Sequence, residues 1–453
     1  MKLQEKIFRE KGILLTLKEL EKRLEEETKR NLAYIKEKLE ENLYHWYDEP
    51  PNALITVKSS KLKLILEELK LKLNAKSIED LLINKLKIPR KQARKYLKIL
   101  EKPTPKLKVK TLLQLCKHLK INPNQLELLD AFTRKFPVNL KSPTITKLLT
   151  HMINEGNISK RTKGKYPKAT YDNKDPTLHV YIRKLLENLG VKYEKPPTYK
   201  KNAYTTNIDA TTTRILVKAG LKPGKKTITN PTLPTPIYTN PQLRKYHIQT
   251  TLTEEGSSTV RISGKRVKME ITWDRSIDIT DKLTPKQKQT LKQILEKEKE
   301  KRIPIGKVKK KIKDKKIANS IIAIAYGNSP KLVREETALL NKLHISDVKQ
   351  KIVKSYPMRI QLSKDGRFTV AWRAYIANPK AIDLIVKKYG MLPNTWKEER
   401  LKKQYEIYLK YREKRLSDEE IKQVKKQIKS IPRRMPTQWR KQRFKELFEK
   451  DFK

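Results

Sequence analysis

Two segments of this chain, KLLTHMINEGNIS at 147–159 and KYHIQTTLTEEGSST at 245–259, share a plan that leaves few folds open. In each, an apolar-rich helical pattern finishes in Glu-Gly and passes at once into a basic, β-prone stretch. Thr150 thereby aligns with Thr250, Glu155 with Glu255 and Gly156 with Gly256. Repetition at so long an offset predicts two similar structural halves. The glycine is expected to cap its helix in the left-handed conformation. The glutamate before it then stands at the helix C-terminus, where the macrodipole is already negative. An acid set against the dipole, twice, points to a bound cation rather than to folding.

Composition says what the partner is. Lys and Arg number 106 against 50 Asp and Glu, a formal net charge of +56, and that excess selects nucleic acid. A length of 453 residues suggests about three units of roughly 150 residues. With 37% hydrophobic residues the chain can build packed cores, so wholesale disorder is not expected. The single cysteine, Cys116, excludes an internal disulfide framework and a thiolate-rich zinc site, and places the chain in a reducing compartment. No run approaches the ~18 apolar residues that span a bilayer, and the charged start MKLQEKIFREKG lacks the apolar stretch of a leader peptide. The expected location is cytoplasmic, with the nucleoid, and no membrane partner is implied. No Gly-rich phosphate loop, nucleophilic serine arrangement or cofactor box is present, which disfavours a nucleotide-driven enzyme. The six histidines show no ligand spacing, and His151 and His247 read as packing or polar-network residues.

Residues 1–50 carry 11 basic and 12 acidic side chains, so the positive excess lies downstream. Leu17, Leu20, Leu24, Leu32, Ile35, Leu39 and Leu43 recur at three- and four-residue spacing, predicting one long amphipathic helix that packs on its own protein or on a partner helix. Residues 77–130 alternate short helical patterns with turns in the rhythm of a helix-turn-helix domain, which is expected to span 51–138. Within PRKQARKYLKIL, Ala93, Tyr96 and Leu97 would face a core while Arg90, Lys91, Arg94 and Lys95 point outward, the division a recognition helix needs. The block loosely resembles repressor-type helix-turn-helix domains; a small helical bundle with solvated lysines is the other reading.

The two Glu-Gly motifs and their flanks resemble the LAGLIDADG homing endonucleases of the single-chain, two-motif type. After the first motif, YPKATYDNKDPTLHVYIRKLLENLGVKY (166–193) is similar to the family's strand, turn and helix, and 219–248 to the segment linking two halves. After the second, TVRISGKRVKMEITWDRSIDIT (259–280) looks like a DNA-facing hairpin, and 329–345, 365–390 and 396–401 like the end of the second half. The resemblance spans roughly 139–401. It implies an α+β fold: two pseudo-symmetric αββαββα halves with saddle-shaped antiparallel sheets, over 139–236 and 237–401, flanked by an all-α N-terminal region and a basic helical tail over 402–453. Residues 284–328 look like an insertion.

The resemblance further implies paired motif helices, with Thr150 and Thr250 at the close approach, and terminal acids meeting at a DNA minor groove. Glu155 and Glu255, with the carbonyls of Gly156 and Gly256 beside them, would hold Mg²⁺, or Mn²⁺ in its place. Both acids are Glu where the family often has Asp, which lengthens the ligand by one methylene. Lys174 and Arg275, at 19 and 20 residues beyond their glutamates, match the family's basic group on the sheet floor. Lys165, Lys168 and Tyr171, and Arg261, Lys265, Lys268 and Trp273, are expected to present basic and aromatic side chains to a groove. Residues 401–453, with 18 basic and 8 acidic side chains, read as a second phosphate-gripping element or a docked surface helix. The expected function is site-specific, metal-dependent cleavage of double-stranded DNA by a monomer. A non-catalytic transcription regulator of the same fold, and a maturase binding intron RNA, are the alternatives. The ends of the chain carry no splicing-type residues, which suggests a free-standing rather than embedded protein, while an intron-encoded origin stays open.

Overall fold

The computed structural model describes residues 41–159, 167–193, 195–200, 202–342 and 352–449, so nearly all of the helix expected over 1–50 lies outside the described residues. The chain divides into two compact units, Met1–Leu140 and Lys141–Lys453.

In the first unit β1 (Leu43–Tyr44) pairs antiparallel with β4 (Val138–Asn139), and β2 (Leu54–Thr56) with β3 (Lys106–Lys108). Between them run α1 (Ser59–Lys72), α2 (Ile78–Asp80, continuing as a wider turn over Leu81–Lys85), α3 (Arg90–Glu101), α4 (Val109–Leu119) and α5 (Pro123–Leu128). Two expectations are corrected here. The unit is not wholly helical, because the β-branched run around Ile55–Val57 finds an extended partner at 106–108. Residues 43–48 do not continue a long α-helix either: Leu43–Tyr44 is a strand and Trp46–Asp48 a single 3-10 turn, with Trp46 fully buried and its backbone N–H donating to the Glu127 carboxylate at 3.1 Å. On α3, Ala93 and Tyr96 are buried and Leu97 is half-buried, while Arg90, Lys91, Arg94 and Lys95 are exposed.

The second unit opens with α6 (Pro143–Asn154), started by the Ser142 cap and Pro143. Then follow β5 (Gly156–Ser159), β6 (Lys168–Asn173), α7 (Pro176–Glu187), β7 (Thr198–Lys200), β8 (Ala203–Ile208) and α8 (Ala210–Lys218). The short α9 (Lys226–Thr229) and α10 (Pro236–Thr239) lead to α11 (Pro241–Glu254), again begun by a cap and proline, Asn240-Pro241. β9 (Gly256–Ser263), β10 (Arg266–Asp278), α12 (Pro285–Lys297), β11 (Arg302–Pro304), α13 (Val308–Lys311), α14 (Lys315–Gly327) and α15 (Lys331–Asn341) come next. The chain finishes with β12 (Lys354–Leu362), β13 (Phe368–Ile376), α16 (Pro379–Leu384), α17 (Trp396–Tyr411), α18 (Asp418–Ser430) and α19 (Thr437–Phe448). Among the described residues no helix is long and apolar enough to cross a membrane.

Two antiparallel sheets result, ordered β5-β6-β8-β7 and β11-β12-β13-β10-β9. Apart from β11, the second repeats the strand order of the first. In the second sheet the residues paired across strands, Gly256 with Trp273 with Ala374 and Ser258 with Ile271 with Ile376, define one face. That face is buried under helices: Ile248 and Leu252 of α11, Ile382 of α16, Tyr405 and Tyr408 of α17 and Val424 of α18 share a core with Ile271, Trp273 and Ile376. The segment expected to be an insertion backs the same face farther along, where Leu291, Leu295, Ile303, Val308 and Ile321 pack with Ile360, Phe368, Val370 and Trp372. The alternate residues, among them Arg261, Lys268, Asp274, Arg373 and Tyr375, occupy the other face.

The core of the first half encloses His179, fully buried between α7 and the sheet. Its Nε2 lies 3.1 Å from the Asn173 carbonyl, which can only accept, so Nε2 carries the proton and Nδ1 accepts from the Thr206 hydroxyl at 2.8 Å. Burial holds this imidazole down at about 4. Between the ordinary His value of about 6.5 and about 4, the unfolded chain takes up a proton that the folded one refuses, so stability falls as pH drops through that window. Urea denaturation at pH 7 and pH 4.5 should show the wild type losing about 2–3 kcal/mol more than His179→Gln.

Candidate functional site

The two motif helices meet along their length. Thr150 and Thr250 are buried, and their hydroxyls turn back to their own helices, donating to the Thr146 and Tyr246 carbonyls at 3.1 and 2.7 Å. Hydroxyls folded away in this manner leave room for the neighbouring helix, and His247 of α11 reaches Thr150 Oγ1 at 3.4 Å. A buried polar chain completes the pairing. His151 of α6 contacts Glu254 Oε1 at 2.6 Å and the Tyr246 hydroxyl at 2.8 Å, while the Tyr171 hydroxyl donates to the same Glu254 oxygen.

Glu155 and Glu255 each occupy the residue that ends its helix, with φ/ψ of −111/−6° and −101/−18°. Neither following glycine has the expected left-handed conformation; both begin strands, and neither has positive φ. Glycine is required for a different reason. A Cβ at Gly256 would stand 2.3 Å from the Leu252 carbonyl oxygen, and one at Gly156 would stand 2.6 Å from Met152 Cα. The strand leaves the helix by folding back so tightly that no side chain fits.

Burial and the charge of Glu255 raise the Glu155 carboxyl to about 8. Glu255 is also raised, first by burial, with Arg275 and Lys226 pulling the other way. Three cations of the chain itself gather at these helix ends. Lys226, at the start of α9, donates to the Asn154 carbonyl, and Lys397, at the start of α17, donates to the carbonyls of Glu254 and Gly256 at 2.9 and 2.8 Å. Burial depresses Lys226 to about 8 and lowers Lys397, while the glutamates work to keep both charged. Arg275 donates to Glu255 at 3.0 Å, to Asn154 Oδ1 at 2.7 Å and to Glu336 Oε1 at 2.6 Å. Burial alone would raise the Glu336 carboxyl, but the Arg275 charge and its hydrogen bonds prevail and bring it to about 2. The Trp273 indole N–H, donating to Glu336 Oε2 at 2.8 Å, and His247, 3.5 Å from Oε1, complete its surroundings.

The structure therefore brings together Glu155, Glu255 and Arg275, and adds Lys226, Lys397, Glu254, Glu336 and Asn154, which sequence reasoning missed. Lys226 and Lys397 were hidden among 106 basic residues, and only the three-dimensional return of α9 and α17 to the helix ends singles them out. The carbonyl of Gly256, expected beside a metal, already receives the Lys397 ammonium.

Lys174 is not the counterpart of Arg275. Gly156 pairs with Tyr171 and Gly256 with Trp273, so two residues farther along each strand lie Asn173 and Arg275; Lys174 is exposed in the turn beyond. The second hairpin is two residues longer, which spoils counting from the glutamates. Tyr171 and Trp273 are corrected for a related reason. They lie three and five residues from Lys168 and Lys268, on opposite faces, and both are buried against the helices rather than offered to a groove. Lys168, Arg261 and Lys268 occupy the open faces. Lys265 lies in the β9–β10 turn, with Nζ 3.4 Å from Asp418 and its carbonyl accepting from Leu416 N. Lys165 falls outside the described residues.

A buried ion pair that loses one member leaves the other uncompensated, at a cost of about 3–5 kcal/mol. Arg275→Met and Glu336→Gln should each destabilise the protein on that scale in thermal or urea unfolding. The double replacement Arg275→Met/Glu336→Met should cost clearly less than the sum of its parts.

Comparison with known proteins is sparse. No family model and no curated protein sequence matches the chain. Among solved structures, it is similar to the LAGLIDADG homing endonuclease I-GzeII in complex with its DNA target, at 10% identity and a TM-score of 0.31, over 64% of this chain and 98% of that one. It is also similar to the LAGLIDADG meganuclease I-AabMI bound to uncleaved DNA, at 12% identity and a TM-score of 0.31, over 64% of this chain and 100% of that one.

Proposed function

We propose that the chain is an endonuclease that hydrolyses phosphodiester bonds of double-stranded DNA with a divalent cation, Mg²⁺ or Mn²⁺, held by Glu155 and Glu255. The observation that carries this reading is the meeting of two helix-ending carboxylates so close that the charge of one raises the other, in a place lined by Lys226, Lys397 and Arg275. Among the described residues no three His, Cys, Asp or Glu side chains form a cage for a metal. Two hard oxygen donors with room left for phosphate oxygens and water suit Mg²⁺, which is commonly bound by one or two carboxylates plus substrate. When bound, such a cation activates water and offsets charge on the leaving 3′ oxygen. Lys226 and Lys397, now on the backbone carbonyls of the helix ends, would offset charge near a bound phosphate, and Arg275 fixes the Glu255 carboxylate through a hydrogen-bonded frame that ends on buried Glu336. The open sheet faces, with Lys168, Arg261, Lys268, Arg373 and Tyr375, would lie along the duplex, and the exposed basic face of α3 would extend the footprint.

A second reading has its own support. Lys226, Lys397 and Arg275 already balance much of the charge at the helix ends, so the fold can stand as a DNA-binding regulator without cutting.

Incubation of a randomised duplex library with Mg²⁺ separates the two. Nuclease action predicts selected cuts in the wild type, reduced at least about 100-fold in Glu155→Gln and in Glu255→Gln with DNA binding retained. Sequence-selective binding without cuts in either Mg²⁺ or Mn²⁺ supports the regulator. Cation affinity should also follow pH. The carboxylate of Glu155, not its acid form, is the ligand, so apparent Mg²⁺ affinity should rise up to about tenfold per pH unit toward about pH 8 and level off above it. A calorimetric titration of wild type against Glu155→Gln should show this slope in the former and not in the latter.

A further inference from the structure

The C-terminal tail returns across the unit. α18 joins the second half, with Val424 in its core, and α19 then packs on the first half. There Phe444 stacks on Tyr204 with ring centroids 4.6 Å apart and planes 4° from parallel, Arg443 donates to Thr177 Oγ1 at 3.3 Å, and Arg440 donates to the Asn202 carbonyl at 3.2 Å. The connecting turn, Ile431-Pro432-Arg433-Arg434-Met435-Pro436, is thus pinned at both ends and stiffened by two prolines. It forms one wall of a cavity of about 640 Å³ whose other walls carry Glu155, Lys174 and Lys397. That volume accommodates a nucleotide-sized group rather than a single ion.

The charges of this cavity are unevenly committed. Asp172 accepts the hydroxyls of Thr170 and Thr205 at 3.1 and 2.5 Å, and Asp175 caps α7 while accepting the Trp396 N–H at 2.9 Å. Arg433, Arg434 and Lys174 form no ion pair among the described residues. Arg400, close behind, has a buried Nε with no acceptor, and after burial itself the charge of Arg433 is what holds this guanidinium below its usual range. A second cavity, of about 380 Å³, lies beside Gly156 and is lined by Lys225, Asp365 and Arg367. Lys225 pairs with Asp365 at 2.5 Å and Arg367 with Asp278 at 3.0 Å, the third cation, Lys226, donates to the Asn154 carbonyl, and no tail residue lines it. Clustered arginines that pair with none of the carboxylates around them, on a turn held at both ends, suit an anion that comes and goes.

We propose that the 431–436 turn is a phosphodiester-binding element, with Arg433 and Arg434 gripping the backbone of the DNA strand that passes Glu155. The proposal rests on the DNA-binding reading above, though not on cutting.

The test uses the full chain and a duplex selected from the randomised library, with Ca²⁺ replacing Mg²⁺ and with single phosphates replaced, one at a time along each strand, by neutral methylphosphonates. In the wild type, neutralising one or two linkages on one strand next to the centre should weaken binding about tenfold. Arg433→Gln/Arg434→Gln should bind about tenfold more weakly and show no further loss at those linkages, while Arg433→Lys/Arg434→Lys should recover part of the affinity. Lys425→Gln/Lys426→Gln, an equal charge change on the exposed face of α18, should leave the interference pattern as in the wild type. An identical pattern in the wild type and in the Arg433→Gln/Arg434→Gln variant, or equal effects on both strands, overturns the proposal while leaving the nuclease reading untouched. Absence of cutting in the Mg²⁺ library experiment, with this interference pattern present in Ca²⁺, counts against the nuclease alone.

Discussion

Everything at the centre of the second unit follows from bringing two helix C-termini to one place. Each end is the negative pole of a macrodipole, and each finishes in a glutamate. Left alone, such an arrangement would force the helices apart. The fold answers with cations from three separate elements: Lys226 from α9, Lys397 from α17, and Arg275 from β10 of the sheet beneath. Both lysines point at backbone carbonyls rather than at carboxylates. They quiet the dipoles and leave the acids only partly compensated, so burial and the charge of Glu255 still hold the Glu155 carboxyl up at about 8.

The two sheets share a strand order, β11 apart, and differ in what is buried beneath them. In the first half the residue under the turn is Tyr171, and its hydroxyl serves the buried Glu254; in the second it is Trp273, whose indole serves Glu336. One carboxylate is thus held by a tyrosine and a histidine, the other by an arginine, a tryptophan and a histidine. Glu255 has a guanidinium against it where Glu155 has none, since the register puts Asn173 opposite Arg275. The acids are alike in sequence and unlike in surroundings.

Much of this could be located beforehand and some could not, for identifiable reasons. The helix ends and the glycines after them show in spacing alone, because a tight helix-to-strand reversal restricts residue choice so sharply. The reason for glycine was misread, since a steric clash with the preceding turn and a left-handed cap select the same residue. The faces of β6 and β10 were misread where odd separations, Lys168 to Tyr171 and Lys268 to Trp273, were taken as one surface; strict alternation would have put both aromatics inside. Lys226, Lys397 and Glu336 leave no local trace. Their roles come from long-range returns of the chain, and in a sequence so rich in lysine a single functional ammonium has no contrast.

The pinned tail has a mechanical consequence. The polypeptide passes from the first half to the second through 219–240, and comes back when α19 docks on α7 and Tyr204. The halves are therefore tethered at both ends, and each is presented to the other at a high effective concentration even where the connecting segment is slack. A helix pair that carries like charges at its tips gains from such a clasp, because separation of the tips would require the tail to peel away as well.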